Sequence, residues 1–222
     1  MTNIQNSVWK RIDADPSLQL DLQRGIINVR ALARQLRKTG LDASEHALIS
    51  AIRRYPHENP VRKIYEKAGD IVAHSSLSAK SHIASLALVK GAETQSILPK
   101  LFGLVHYERG ETLRIVQGEE SIKLLIDGKN VEKMLDLIPA RLVLKVQRGM
   151  AEINMHLHPA AVKTPGIMYV LCGQLSRHNI NIYEITSCVP EMLIFVDEDD
   201  LPNAYKILFE LCHPKGTRRP PT

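Results

Sequence analysis

Two histidines and a short acidic run are the residues in this chain whose spacing is typical of metal chemistry. His156 and His158 alternate along a predicted strand, so both rings point to one face, as two metal ligands would. No further Cys or His cluster accompanies them, and we therefore expect no metal site. The run Asp197–Asp200 could bind a cation, but it also lies where a helix start favours negative charge, and we favour that second interpretation.

Residue patterns of known catalytic sites are absent from the sequence. Cys212 and His213 are neighbours in the chain, whereas catalytic Cys/His pairs are brought together by the fold. No Walker loop, GxGxxG or GxSxG motif occurs. The three cysteines of the chain, Cys172, Cys188 and Cys212, show no CxxC spacing. This favours buried, inert thiols in a reducing cytoplasm. We therefore expect no enzyme activity, no cofactor and no disulfide framework.

The excess positive charge of the chain lies in its first third, where it could contact a polyanion. Residues 1–69 hold 12 Lys/Arg and 7 Asp/Glu, whereas residues 70–222 hold 17 of each. The formal net charge of +5 is therefore confined to the first segment. A basic block beside a neutral block indicates two separate roles, and the basic one suits nucleic acid.

Helical periodicity positions these basic side chains. Apolar residues from Val29 to Leu36 follow the i, i+3, i+4, i+7 spacing of one helix face, and Thr39-Gly40 ends that helix. Asp42 or Ser44 can cap a second helix, which ends before Pro56. A third helix, earlier in the chain, is expected over 17–24.

Two short helices joined by a turn resemble a helix-turn-helix. The alternating pattern through 71–77 and Ile83 predicts a wing hairpin after it, so a winged-helix variant fits this segment best. The alternative is a small helical domain with a solvated basic face. If the segment binds double-stranded DNA, the expected contact residues are Arg30, Arg34, Arg37, Lys38, His46, Ser50, Arg53 and Arg54.

The last third of the chain alternates between strand and helix patterns. Residues 151–157 alternate with period 2, and a Lys-Thr-Pro-Gly loop precedes an amphipathic segment. The predicted order is β-α-β-β-α, with strands at 151–157, 180–187 and 191–196 and helices at 167–177 and 201–211.

This stretch resembles an ACT domain, most of all those at the regulatory end of aspartate kinases. The resemblance covers about residues 149–212 and rests on Thr164-Pro165-Gly166-Ile167, on Asn179-Ile180-Asn181-Ile182 and on the acidic end of the last strand. Residues 83–148 resemble a second, degenerate copy without the Pro-Gly loop. The elements expected there are strands at 83–90, 111–117, 121–127 and 141–147 and helices at 96–107 and 130–138.

The resemblance implies a small effector, usually an amino acid, bound between the first β-α loop of one ACT copy and a neighbouring copy. Peptide N–H groups at a helix start can hold a carboxylate, and Gly166 lets a ligand approach the backbone closely. An asparagine amide can pair with both ends of an amino acid. A plain turn glycine at Gly166 and a strand-entry role for Asn181 are the alternatives. The expected effector residues are Thr164, Pro165, Gly166, Ile167, Met168, Asn179, Asn181 and Ile182.

These observations predict an α+β protein in which a helical, winged-helix-like domain precedes two ferredoxin-like βαββαβ ACT domains. The expected boundaries are 1–69, 70–148 and 149–213, with a flexible tail at 214–222. We expect a cytoplasmic, amino-acid-sensing transcriptional regulator of amino acid metabolism, which binds DNA as a homo-oligomer paired through its ACT sheets. The alternative is a regulator that docks on a biosynthetic enzyme without contacting DNA. No apolar stretch is long enough to cross a membrane, and the N-terminus lacks the apolar segment of a signal peptide.

Overall fold

The computed structural model describes residues 4–56 and 60–214, so the predicted tail beyond Pro214 lies outside the described residues. The chain divides into two compact units, Met1–Lys67 and Ala68–Thr222, which we call the helical unit and the sheet unit. None of the described helices combines the length and the apolarity that crossing a bilayer requires.

Side-chain caps and apolar faces explain the helices of the helical unit. Asn28 accepts hydrogen bonds from the N–H groups of Arg30 and Ala31 at 3.1 Å each, and Ser44 accepts one from Ala47 at 3.2 Å. The apolar faces meet in one core, and the three helices predicted for this segment are confirmed. The helices are α1 (Ile4–Asp13), α2 (Pro16–Gln23), α3 (Val29–Lys38), α4 (Glu45–Arg53) and α5 (Pro60–Ala73), the last of which ends in the sheet unit.

The predicted wing hairpin is wrong. Ile71 lies in α5, whereas Leu77 and Ile83 lie in a long strand of the sheet. Ala68 and Val72 are fully buried in the core of the sheet unit. The apolar residues of this segment therefore form the buried face of a helix. No strand occurs in residues 4–56 and 60–67, and the winged form of the helix-turn-helix therefore lacks its wing.

The sheet unit contains one six-stranded antiparallel sheet with the order β2-β3-β1-β4-β6-β5. Most predicted elements are confirmed, but the helix expected at 96–107 lies earlier because the chain turns at Gly103. The strands are β1 (Ser76–Val89), β2 (Leu113–Gln117), β3 (Ser121–Asp127), β4 (Val143–His156), β5 (Ile182–Cys188) and β6 (Glu191–Asp197). The helices are α6 (Ala92–Phe102), α7 (Val131–Leu137), α8 (Ile167–Arg177) and α9 (Leu201–Cys212).

The two longest strands are shared between two halves of this sheet. Residues 83–89 of β1 pair with β3, whereas residues 76–80 pair only with the end of β4. The start of β1 therefore supplies the fourth strand that the second half needs to complete a β-α-β-β-α-β order. The predicted domain boundary at residue 149 falls inside β4, where Gly149 has a φ of 68°. His82, with a φ of 57°, marks the equivalent irregular position in β1.

The helices cover one face of the sheet. The sheet bends so that the two halves of its helix-free face turn towards each other. Two apolar cores lie under the helices, one for each half, whereas a small cluster around Phe195 fills the helix-free face. Lys123 on β3 forms an ion pair with Glu184 on β5, although three strands lie between them in the sheet. Arg114 on β2 reaches Glu152 on β4 at 2.8 Å. Such contacts require that the helix-free faces of the two halves turn towards each other.

Candidate functional site

The loop before α8 is held in a defined shape by its own backbone and by one hydroxyl. After β4, a 3₁₀ turn at Pro159–Lys163 leads into the loop. The Thr164 hydroxyl donates to the Ala160 carbonyl at 2.9 Å, and its N–H donates to Ala161 at 3.1 Å. Gly166 has a φ of 92°, a conformation that L side chains rarely adopt, and it provides no side-chain cap for the helix. The first N–H groups of α8 are thus left without a side-chain acceptor from the N-cap position.

A pocket of about 420 Å³ opens in front of this helix start. The antiparallel register places the end of β4 beside the start of β6, since His156 opposes Glu191. The tip of the β5–β6 hairpin therefore forms the wall opposite the loop. All five predicted loop residues line the pocket, which is completed by Leu157, His158, Pro159, Ala161, Val162, Ser187, Val189, Pro190, Glu191 and Met192.

The walls of this pocket are mainly apolar. Val162 and Val189 are each 62% exposed, and Met168 is 43% exposed, so apolar surface remains available to a ligand. The His158 Nδ1 already accepts a hydrogen bond from the Ala160 N–H at 3.2 Å. The alternation of β6 turns the Glu191 side chain away from Met192 and towards the helix-free face. The arrangement suits a ligand with a carboxylate at the helix start and an apolar body against the walls.

The asparagines predicted for the same site lie at the other end of α8. Asn179 follows the helix in a turn with a φ of 58°, and its N–H donates to Ser176 at 3.0 Å. Asn181 is exposed, whereas Ile182 opens β5 and packs partly into the core. A single chain therefore brings Thr164–Met168 together and does not bring these three residues to the pocket. Their contact with an effector stays a prediction.

The hairpin wall is the part of the pocket that sequence reasoning missed. Val189 and Pro190 were visible as a turn between two predicted strands, but a turn pattern does not say which loop it faces. The missing information was the pairing of β4 with β6, which sets the hairpin tip beside the loop.

The basic residues of the helical unit are mostly exposed, and two of them share one carboxylate. Arg30 Nε and Arg34 Nε each lie 3.7 Å from Glu45 Oε1. This carboxylate at the start of α4 offsets part of the positive charge of α3. Of the eight predicted DNA-contact residues, Ser50 is half-buried and the others are exposed: Arg30, Arg34, Arg37, Lys38, His46, Arg53 and Arg54.

The side chains considered for metal or redox chemistry have other surroundings. Among the described residues, no group of three or more His, Cys, Asp or Glu is placed to hold a metal ion. Asp197 accepts hydrogen bonds from the Tyr183 hydroxyl at 2.9 Å and from the Asp199 N–H at 3.1 Å, which ties the acidic run to the start of α9. Burial raises the pKa of the Cys212 thiol to about 11, whereas Cys188 is exposed.

Comparison with known proteins supports the resemblance for the second half of the sheet unit. Residues 145–210 match the family model of the ACT domain, which is less than a third of the chain. The comparison with curated proteins found no match.

Among solved structures, aspartate kinases are similar to this chain at low identity. The aspartate kinase of Synechocystis has a TM-score of 0.50 at 14% identity over 68% of this chain and 28% of its own. The regulatory subunit of the Thermus thermophilus aspartate kinase has a TM-score of 0.48 at 14% identity over 61% of this chain and 95% of its own. The Clostridium acetobutylicum aspartate kinase has a TM-score of 0.47 at 18% identity over 61% of this chain and 34% of its own. The matched region thus spans only about a third or less of the two complete kinase chains, and at such identity the likeness concerns the fold.

Proposed function

We propose that this chain is an effector-binding regulatory protein of the cytoplasm, which senses an amino acid at the pocket before α8. The observation that carries the proposal is the apolar pocket in front of an uncapped helix start, within the segment that matches the ACT domain model. The helix start would hold the carboxylate of the effector through peptide N–H groups. The apolar walls would hold its side chain.

The sharing of strands suggests how binding could be transmitted. The pocket lies at the end of β4, and β4 pairs with β1 along most of its length. Residues 76–80 belong to the second half through this pairing, whereas residues 83–89 belong to the first. A ligand that changes the packing of the loop would therefore act on both halves, with a coupling free energy typically of about 1–3 kcal/mol.

A thermal-shift scan with the twenty amino acids tests the sensor. A ligand at about 100 times its Kd stabilises a protein by roughly 2.7 kcal/mol, which is about 5–11 °C for a unit of this size. We expect an amino acid with an apolar side chain to give the largest shift. If no amino acid changes the Tm, the proposal is refuted.

Two variants of Met168 assign the effect to the pocket. Met168→Glu places a carboxylate at the start of α8, where it favours the helix but competes with the ligand carboxylate. We expect this variant to fold normally and to lose the shift. The neutral Met168→Gln has a similar volume and is its matched control, in which the shift should persist.

DNA binding by the helical unit is a second proposal, supported by the net charge of +5 in residues 1–69 and by the exposed arginines of α3 and α4. Anisotropy titrations with a duplex of about 30 base pairs at several salt concentrations measure it. Each lost phosphate contact should reduce the salt slope by about 0.9. Arg37→Ala and Arg53→Ala should do so, whereas Arg24→Ala, whose side chain pairs with Asp21, should not.

Absence of DNA binding at low salt would favour the alternative, in which the chain docks on a biosynthetic enzyme. In that case, the proposed sensor should co-purify with the enzyme in an effector-dependent manner. This outcome leaves the pocket proposal intact, because the thermal shift does not depend on the partner.

Self-association through the sheet is a third part of the proposal. β5 is the last strand of the sheet, so one of its edges is unpaired in the described chain. An unpaired edge can pair with the same edge of a second copy. Thr186→Pro, which removes a backbone donor from β5, should reduce the mass measured by light scattering if the copies meet there.

A further inference from the structure

A second pocket lies on the helix-free face of the sheet, where β1 begins, β4 ends and β6 begins. It encloses about 420 Å³ and has no residue of the loop before α8 in its walls. The strand register defines its floor, since Ser76 opposes His156, His156 opposes Glu191, and Ser78 opposes Asn154. Because side chains alternate along strands, these five polar side chains all project from the same face.

The polar side chains of this pocket have no partners within the described part of the chain. Ser76, Ser78, Asn154, His156 and Glu191 make no side-chain hydrogen bond or ion pair there. The Oδ1 of Asn154 is shielded from solvent and still accepts no hydrogen bond. Ser76, Ser78 and His156 are exposed to solvent, so the Asn154 Oδ1 is the atom that points to a ligand here, because buried polar atoms in folded proteins are almost always paired.

The pocket contains one carboxylate and one buried amide oxygen, both of which accept hydrogen bonds. Glu191 supplies a carboxylate, and Asn154, which also lines the pocket, has an amide oxygen without a protein donor. Glu152 lies on the same face of β4, two residues before Asn154. Its Oε2 is also buried and has no hydrogen-bond partner. Burial raises the pKa of Glu152, Arg114 and Lys80 oppose this rise, and the charge of Glu191 adds to it, so the two carboxylates act on each other.

We propose that this pocket binds a small molecule that carries a primary ammonium group. An ammonium has three N–H donors and no acceptor, which matches the Glu191 carboxylate and the two serine hydroxyls, with the buried Asn154 Oδ1 reached only if its side chain turns. The hydrogen bond to Glu191 is charge-assisted and supplies most of the discrimination against a neutral ligand. The site shares Glu191 with the lining of the first pocket but contains no residue of the loop before α8, and it does not depend on the function proposed there.

Ethanolamine is the probe for this site, and ethylene glycol is its neutral control. The two molecules have nearly the same shape, but ethylene glycol replaces the ammonium group by a hydroxyl. We would titrate the full chain with each and follow the imidazole resonances of His156 by NMR, assigned through the signal missing in His156→Gln. We expect saturable shifts with ethanolamine and at least about tenfold weaker binding of ethylene glycol, since a charged hydrogen bond is worth more than a neutral one.

Three variants distinguish binding at this site from unspecific attraction to acidic surface. Glu191→Gln keeps the size of the side chain and removes its charge, and it should weaken ethanolamine binding at least about tenfold. Glu210→Gln on the exposed face of α9 removes the same charge elsewhere and should leave binding unchanged. Asn154→Leu, which removes the buried acceptor, should also weaken binding.

A parallel titration with L-serine distinguishes an amino acid from a free amine as the source of the ammonium group. Binding of both probes or of ethanolamine alone supports the site, provided that Glu191→Gln weakens it at least about tenfold. The proposal is overturned if ethanolamine does not saturate, if ethylene glycol binds equally well, or if Glu191→Gln and Glu210→Gln have the same effect. Met168→Glu should not change ethanolamine binding, so failure here and failure of the sensor pocket are independent results.

Discussion

The ion pair between Arg114 and Glu152 allows a quantitative test of how the bent sheet is held. Arg114 Nη2 lies 2.8 Å from Glu152 Oε1 and thereby joins β2 of the first half to the part of β4 that belongs to the second. The Glu152 side chain is 6% exposed and that of Arg114 is 27% exposed. The carboxylate therefore depends on this cation, because water cannot replace it at that depth.

Arg114→Met removes the guanidinium and keeps an apolar stem, so Glu152 is left buried with Lys80 as the remaining cation nearby. Loss of one partner from a buried ion pair costs about 3–5 kcal/mol. The partial exposure of Arg114 lowers our expectation to about 2–4 kcal/mol, since exposed ion pairs contribute little. At about 2–4 °C per kcal/mol, the Tm of the sheet unit should fall by at least about 4 °C.

The pH dependence has a definite sign. Burial raises the pKa of Glu152 above its ordinary value in the wild-type protein, against the opposing charges of Arg114 and Lys80. A carboxyl group with a raised folded-state pKa favours the folded state below its unfolded pKa, and this contribution is lost as the pH rises through the folded pKa. Removal of Arg114 raises the pKa of Glu152 further, so the deficit of the variant should grow as the pH rises through the folded-state pKa of this group. The double variant with Glu152→Gln should lose that growth.

Urea unfolding followed by circular dichroism measures the change in the sheet. Trp9, the single tryptophan, lies in α1 and donates to the Ala51 carbonyl at 3.0 Å, so its fluorescence reports the helical unit and serves as an internal control. Arg141→Met, which breaks an exposed pair with Glu93, is the matched variant and should cost less than about 1 kcal/mol. Equal losses for the two arginine variants, or a deficit that does not change with pH, would refute the reasoning.

Three further predictions concern single groups. Asn28→Ala should destabilise the helical unit by about 1 kcal/mol through loss of the α3 cap, as read from Trp9 fluorescence in urea, whereas Asn28→Asp should be nearly neutral. Gly166→Ala should lower the stability of the sheet unit by about 1–2 kcal/mol in thermal unfolding, because the backbone φ of 92° at Gly166 disfavours a residue with a Cβ. An unchanged Tm would contradict this prediction. A thiol reagent should label Cys188 in the native protein and Cys212 only after unfolding, since Cys212 is buried and its pKa is raised to about 11; equal labelling rates would show the assignment to be wrong.

Local patterns were sufficient for most elements of the second half of the sheet unit. The Pro-Gly loop before α8 and the apolar spacing of α8 and α9 depend on residues within a few positions of one another, and such patterns are read directly from the chain. The same holds for α3, whose apolar face and Asn28 cap are both local. The prediction of a wing hairpin was wrong because the short apolar run around Ile71 fits both the period-2 spacing of a strand and the period-3.6 spacing of a helix.

The sequence by itself determined a basic helical first third, the order of strands and helices after it, and a Pro-Gly loop at the start of α8. Only the tertiary structure decided that residues 76–80 pair with the end of β4, that the hairpin at Val189 closes the first pocket, and that Lys123 meets Glu184. The physical reason is that helix and turn propensities act between near neighbours. The pairing of strands that are far apart in the chain depends instead on which edges and faces remain available once the whole sheet has bent.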